Sequence, residues 1–167
     1  MVFVTVGTHE QGFRRLIEKV DNLKKNGVIE DDVFIQTGFL KDYVPEFCEY
    51  KEFLEHSEME NYCDKARIII THGGPGSIMI PFGMGKVPIV VPRNPKMGEH
   101  VDEHQILFVK KLESLKKIIP VFDIDSLEDV IKNYSFYASR CNINSNNTLK
   151  EFVKNFEKEV MELVKER

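Results

Sequence analysis

The stretch Ile68-Ile69-Ile70-Thr71-His72-Gly73-Gly74-Pro75-Gly76-Ser77 constrains the fold more than any other part of the chain. Three β-branched residues in a row read as a strand buried on both faces. Glycines and a proline break it, and the apolar run over 78–84 reads as a helix. A strand, a glycine turn and a helix N-terminus together point backbone N–H groups at the space beyond the turn, where an anion fits. Residues 72–77 are therefore a candidate phosphate site, with Ser77 as the expected cap of the helix. The plainer alternative is a tight connection that binds nothing. The turn lacks a P-loop lysine, and no G-x-G-x-x-G follows the first strand, so neither a P-loop nor a nicotinamide cofactor is indicated.

The rest of the chain repeats the alternation of strand and helix. Residues 2–6 read as a first strand, and Phe13, Leu16, Ile17, Val20 and Leu23 mark one face of a helix over 11–25. A second strand covers 33–37 and a short third one 49–53. Ser57 and Glu60 match a capping box at the start of a second helix. After the glycine turn, a proline-bounded strand spans 86–92 and a helix runs over 102–112. A last strand at 118–121 precedes a helix that Asp125 and Ser126 cap and that ends near Tyr137. An amphipathic helix follows from Thr148 to Val164. Alternating helices and continuously apolar strands imply one Rossmann-like α/β domain over 1–167, a parallel sheet with helices on both faces. Its ligand then sits beyond the carboxyl ends of the strands.

Composition narrows the function. The net charge of −4 comes with no basic run, which argues against non-specific nucleic-acid binding. Three scattered cysteines with no C-x-x-C pair fit free thiols in a reducing compartment. No apolar run is long enough to span a membrane. A cytoplasmic protein is expected, with any membrane contact made through a partner. His100, Glu103 and His104 fit H-x-x-E-H, a zinc peptidase pattern, but so short a match is weak beside the strand-loop context that precedes it. No metal is therefore assigned.

Four ordered motifs then act together: V-T-V-G-T-H over 4–9, H-G-G-P-G-S over 72–77, G-K-V-P-I-V-V-P-R over 85–93 and G-E-H-V-D-E-H-Q over 98–105. They resemble the glycosyltransferase family 28 C-terminal domain over nearly the whole chain. The chain is similar to the catalytic subunit of the two-part N-acetylglucosaminyl transferase of N-glycan assembly. It looks still more like bacterial relatives in capsular and exopolysaccharide synthesis.

The resemblance implies the donor-binding half of a GT-B fold. Phe53 and Leu54 would flank a uracil. Gly7 and Thr8, with His72, Gly73, Gly74, Gly76 and Ser77, would hold the diphosphate. Glu99, His104 and Gln105 would face the sugar. The acceptor would be a lipid-linked saccharide presented by a membrane-associated subunit that recruits this chain to the inner face of the membrane. Transfer of a hexose from a UDP-sugar would invert the anomeric centre. It would need no cofactor and no bound metal. His9 is the candidate general base. One departure is Ile80, where many family members place a ribose-binding glutamate. It keeps open the alternative of a non-catalytic subunit that binds a nucleotide sugar or enhances a partner transferase.

Overall fold

The computed structural model describes residues 1–142. The amphipathic segment from Thr148 lies outside them.

Six strands form one parallel sheet: β1 (Val2–Thr5), β2 (Val33–Gln36), β3 (Glu49–Lys51), β4 (Ile68–His72), β5 (Ile89–Val91) and β6 (Ile119–Pro120). Their spatial order is β3-β2-β1-β4-β5-β6. Parallel neighbours require crossovers, and helices supply most of them: α1 (Arg14–Lys25) between β1 and β2, α2 (His56–Lys65) between β3 and β4, α3 (Pro75–Gly83) between β4 and β5 and α4 (His104–Ser114) between β5 and β6; α5 (Leu127–Lys132) and α6 (Tyr134–Ser139) follow β6. Register is fixed by the central pair, with Val2 opposite Ile68 and Thr5 opposite Thr71.

The pleat sends alternate residues to opposite faces, both of which are covered, which is why β1, β2, β4 and β5 are apolar up to at most their last two residues. Val2, Val4, Ile68, Ile70, Ile89 and Val91 bury against Leu16, Ile17 and Val20 of α1 and Leu127 and Ile131 of α5. Phe3, Phe34 and Ile69 point the other way, onto Cys63 of α2. Val90 shares that second face with Ile78 and Phe82 of α3 and Phe108, Val109 and Leu112 of α4. Each large side chain so buried contributes roughly 1.5–3 kcal/mol of transfer free energy. The Rossmann-like class expected from the alternation is the one observed.

Several boundaries differ from expectation, each for a local reason. The second helix starts at His56 with Glu55 as its cap, so Ser57 lies inside it. Glu58 takes the reciprocal position: its carboxylate accepts the Glu55 N–H at 2.9 Å and also binds Lys51 Nζ at 2.9 and 3.1 Å. An ion pair to the end of β3 thus chose the register over the Ser57–Glu60 spacing. Ser77 is likewise inside α3; Gly74 is the N-cap, and Pro75 takes the first helical position, where its missing N–H costs nothing. Ser126 does stand at the N-cap of α5 but makes no side-chain cap bond there, and Asp123 caps the turn that precedes it, accepting the Asp125 N–H at 3.0 Å. The helix expected to continue to Tyr137 breaks at Asn133, whose side chain bonds Asp129 O and Oδ1 at 3.2 and 2.8 Å. The segment after β2, which no periodicity described, is held by buried Asp21 of α1. Its carboxylate accepts Tyr43 OH, Glu46 N and Phe47 N at 2.8–2.9 Å.

Candidate functional site

The sheet reverses its winding direction between β1 and β4, since β2 and β3 lie on one side of that pair and β5 and β6 on the other. A crevice opens at such a switch point, outside the carboxyl ends of the strands. Here it is a cleft of about 290 Å³. One wall is Thr5, Gly7 and Thr8, the other Gly74 to Ser77, and Leu54 and Met59 close the side.

His72 forms the floor. Its ring lies between two glycines: a Cβ on Gly7 would stand 2.5 Å from His72 Cε1, and one on Gly74 would stand 2.2 Å from Nε2. Both positions therefore exclude any side chain while the imidazole is there. Gly7 also has φ +73°, which disfavours a side chain on its own account. Nδ1 of His72 is buried without a hydrogen bond. Burial first, and then the charge of Arg93, lower the His72 pKa to about 3. The ring is a neutral spacer with an unused nitrogen.

The glycines of the turn divide their work. Gly73 N–H is already donated to Gln105 Oε1 at 3.1 Å, and a Cβ there would stand 2.9 Å from Gln105 Cβ. That amide therefore serves the protein, which leaves the expected phosphate contact to its neighbours. Gly76 faces open space, and the Gly76 and Ser77 amides lie in the first turn of α3, before any intrahelical partner exists. No acidic side chain occupies that turn. The positive end of α3 thus stands at the cleft uncompensated.

Across the cleft, Gln36 fixes the other loop. Its Oε1 accepts Thr5 Oγ1 at 2.6 Å and Gly7 N at 3.2 Å, and its Nε2 donates to Gly7 O and Glu52 O at 3.0 and 3.1 Å. Behind both loops lies Arg93, 1% exposed. Its guanidinium donates to Val6 O at 2.8 Å, Gln11 O at 2.7 Å and Glu99 O at 3.0 Å, and stacks over Phe13 at 4.8 Å. Burial lowers its pKa to about 10, so it keeps its charge.

A scan against protein-family models matches residues 1–160 to the glycosyltransferase family 28 C-terminal domain. The chain belongs to that family.

Among solved structures, this family 28 domain is similar to the glycotransferase of kitacinnamycin, with 16% identity and a TM-score of 0.59 over 83% of this chain and 36% of that one. It is similar also to the glycosyltransferase SnogD from Streptomyces nogalater, with 16% identity, a TM-score of 0.53 and the same coverage. Both share its fold, the Rossmann-like half of a GT-B enzyme, and the chain spans about a third of the length of each. No curated protein matches it.

Within this family 28 domain, the residues singled out from sequence separate into groups. Gly7, Thr8, His72, Gly74, Gly76 and Ser77 do meet around one cleft. Leu54 lines it, whereas the Phe53 ring lies edge-on to Phe39 with centroids 4.9 Å apart. Glu99 is buried and fully engaged: Arg15 binds both its oxygens at 2.8 and 2.9 Å, and Asn94 N donates to Oε2 at 2.8 Å. Gln105 Oε1 accepts a second N–H, from Arg93 at 3.2 Å, which leaves only its NH2 to present outward. His104 is half-exposed at the first position of α4.

His9 has its Nδ1 occupied by the Gln11 N–H at 3.2 Å. Neutral His9 then carries its proton on Nε2, which suits a hydrogen-bond donor better than a base. Burial and the neighbouring His100 lower its pKa. The zinc pattern loses its geometric basis, because His100 precedes the helix that His104 begins, so the two are not one turn apart on a helical face.

Sequence reading gave no role to Gln36 or Arg93. A signal existed for both: a polar or charged residue at the end of a continuously apolar strand is buried and must find partners.

Proposed function

We propose that this chain is the donor half of an inverting hexosyltransferase and binds a UDP-sugar in the β1–β4 cleft. The observation that carries the reading is the uncompensated N-terminus of α3 at a switch-point crevice, with Gly76 and Ser77 amides free to take a diphosphate. The same amides would stabilise the leaving UDP, so the transfer needs no bound metal. Leu54 would rest against the uracil, with Phe53 at its outer edge. The Gln105 NH2 and His104 would face the sugar, and Glu99 would act through Arg15 and Asn94 by shaping the loop.

A donor half works together with an acceptor half. A membrane-associated subunit presenting a lipid-linked saccharide would supply it, which would place this chain at the cytoplasmic face of the membrane in bacterial capsule or exopolysaccharide synthesis. Among the described residues no helix is long and apolar enough to cross a membrane, so such recruitment would come through the partner.

Calorimetry with UDP and a panel of UDP-hexoses tests the donor site. Binding at or below about 1 mM is expected; no heat at that concentration removes the reading.

One observation favours a second role. Ile80 is packed on the Phe3–Phe34–Ile69 cluster, so the helix offers no carboxylate for ribose hydroxyls. A nucleotide-sugar-binding subunit that enhances a partner's catalysis fits that loss, and full transfer by a Gly76→Asp variant within the complex would favour it.

A further inference from the structure

Gln36 ends β2 at the back of the cleft, 2% exposed, and every polar position of its amide is taken. Oε1 accepts the Thr5 hydroxyl at 2.6 Å and the Gly7 N–H at 3.2 Å. The two Nε2 hydrogens go to Gly7 O at 3.0 Å and Glu52 O at 3.1 Å. A backbone N–H can only donate and a carbonyl can only accept, so the amide has a single possible orientation. It keeps no hydrogen bond for a ligand.

The backbone around it is equally tight. Glu52 O also accepts the Gly38 N–H at 2.8 Å, and Lys51 O accepts the Thr37 N–H at 3.0 Å. Gly38 has φ +59°, and a Cβ there would stand 2.7 Å from Gly7 O, the carbonyl that Gln36 binds. The ends of β1, β2 and β3 thus meet at one glutamine. On one side of it, Gly7 leads to Thr8, which lines the cleft. On the other, Glu52 leads to Leu54, which lines the cleft and packs on the Phe3–Phe34–Ile69 cluster.

We propose that Gln36 is a positioning residue that couples the nucleoside side of the cleft to its diphosphate side. This rests on the donor-half reading given above, in which Leu54 meets the uracil and Thr8 faces the diphosphate held by α3. A buried amide left without a partner costs more than the net worth of the bond it lost. Gly7 and Glu52 therefore shift together through Gln36 or not at all. Filling either side then favours the arrangement the other side needs, and such a coupling is reciprocal. A ligand that fills both sides gains more than the same parts bound separately. The cleft is thereby selective for an intact nucleoside diphosphate over free inorganic pyrophosphate.

Inorganic pyrophosphate is the probe, followed in assigned proton–nitrogen spectra of the full chain. In the wild type it should shift the Gly76 and Ser77 amides directly and the Glu52 and Leu54 amides through Gln36. Gln36→Met, which keeps the length of the side chain without its amide, should retain the first pair of shifts and lose the second. Thr5→Val removes one bond to Gln36 but leaves Gly7 and Glu52 joined, so it should retain both. A wild type in which Gly76 and Ser77 shift while Glu52 and Leu54 do not overturns the proposal without recourse to any variant. Shifts at Glu52 and Leu54 that persist in Gln36→Met overturn it as well.

Affinities supply a second readout that general damage to the fold would not produce. Gln36→Met should weaken UDP about fivefold more than it weakens pyrophosphate. Equal losses for the two ligands overturn the proposal. A wild type that binds neither UDP nor pyrophosphate removes the donor-half reading itself, and the coupling with it. That failure is distinct from a UDP-binding chain whose two sides respond independently.

Discussion

The side-chain oxygen of Gln105 accepts the backbone N–H of Gly73 at 3.1 Å, so α4 holds the glycine turn in place instead of merely flanking it. The same oxygen takes Arg93 N–H at 3.2 Å. Gln105→Ala would leave two buried donors unpaired, at a cost of about 1–3 kcal/mol for each group so stranded. Gln105→Glu keeps the acceptor and should lose less. Urea unfolding of both variants checks the order, and equal losses would show that the oxygen does not organise the turn.

Gly74 and His72 should be energetically coupled. Gly74→Ala places a methyl within 2.2 Å of His72 Nε2 and should be strongly destabilising. His72→Ala removes the obstacle at the cost of a cavity. In a double-mutant cycle the combined loss should fall short of the sum by at least about 1 kcal/mol. Additive losses would mean that the two do not meet.

His72 should also set part of the pH dependence of stability. Its folded pKa of about 3 lies below the ordinary value of about 6.5. Over that window the unfolded chain binds a proton that the folded chain refuses. Stability is therefore intact above about pH 6.5 and falls as pH drops towards 3, by roughly 2 kcal/mol at pH 5. Unfolding midpoints across that range should show the loss in the wild type and its absence in His72→Gln.

Asp21 adds a separate, more acidic component. Burial works to raise its pKa, but the N–H groups of Glu46 and Phe47 and the Tyr43 hydroxyl outweigh it, and the net shift is downward. A carboxylate so depressed stabilises the fold above its unfolded pKa of about 3.9, and that contribution disappears as pH falls through the lower folded value. Asp21→Ala should cost about 2–4 kcal/mol near neutrality, because it strands three donors. Under acid, its stability curve should lack the steepest final drop of the wild type.

The strands were legible because both faces of the sheet are covered, so burial imposed apolar runs such as Ile68-Ile69-Ile70. The glycine turn was legible for a related reason: few residues can stand against a buried ring. What escaped was set by distant partners. Lys51 moved the cap of α2 from Ser57 to Glu55, and nothing near Ser57 announces it. Glu99 reads as a polar loop residue until Arg15, far away in sequence, takes both its oxygens. His9 and His104 look alike as letters, and only the fold shows that Nδ1 of His9 accepts the Gln11 N–H whereas Nδ1 of His104 lies 2.9 Å from the Asp102 carboxylate.

The cage around Arg93 ties carbonyls from the β1–α1 and β5–α4 loops to one guanidinium. These loops are consequently a single heritable module. A chimera that imports the segment around Gln11 from a relative without the matching segment around Glu99 would orphan a cation in the interior. Altering what this cleft accepts therefore requires exchanging both loops together, or keeping both and varying only side chains that face outward.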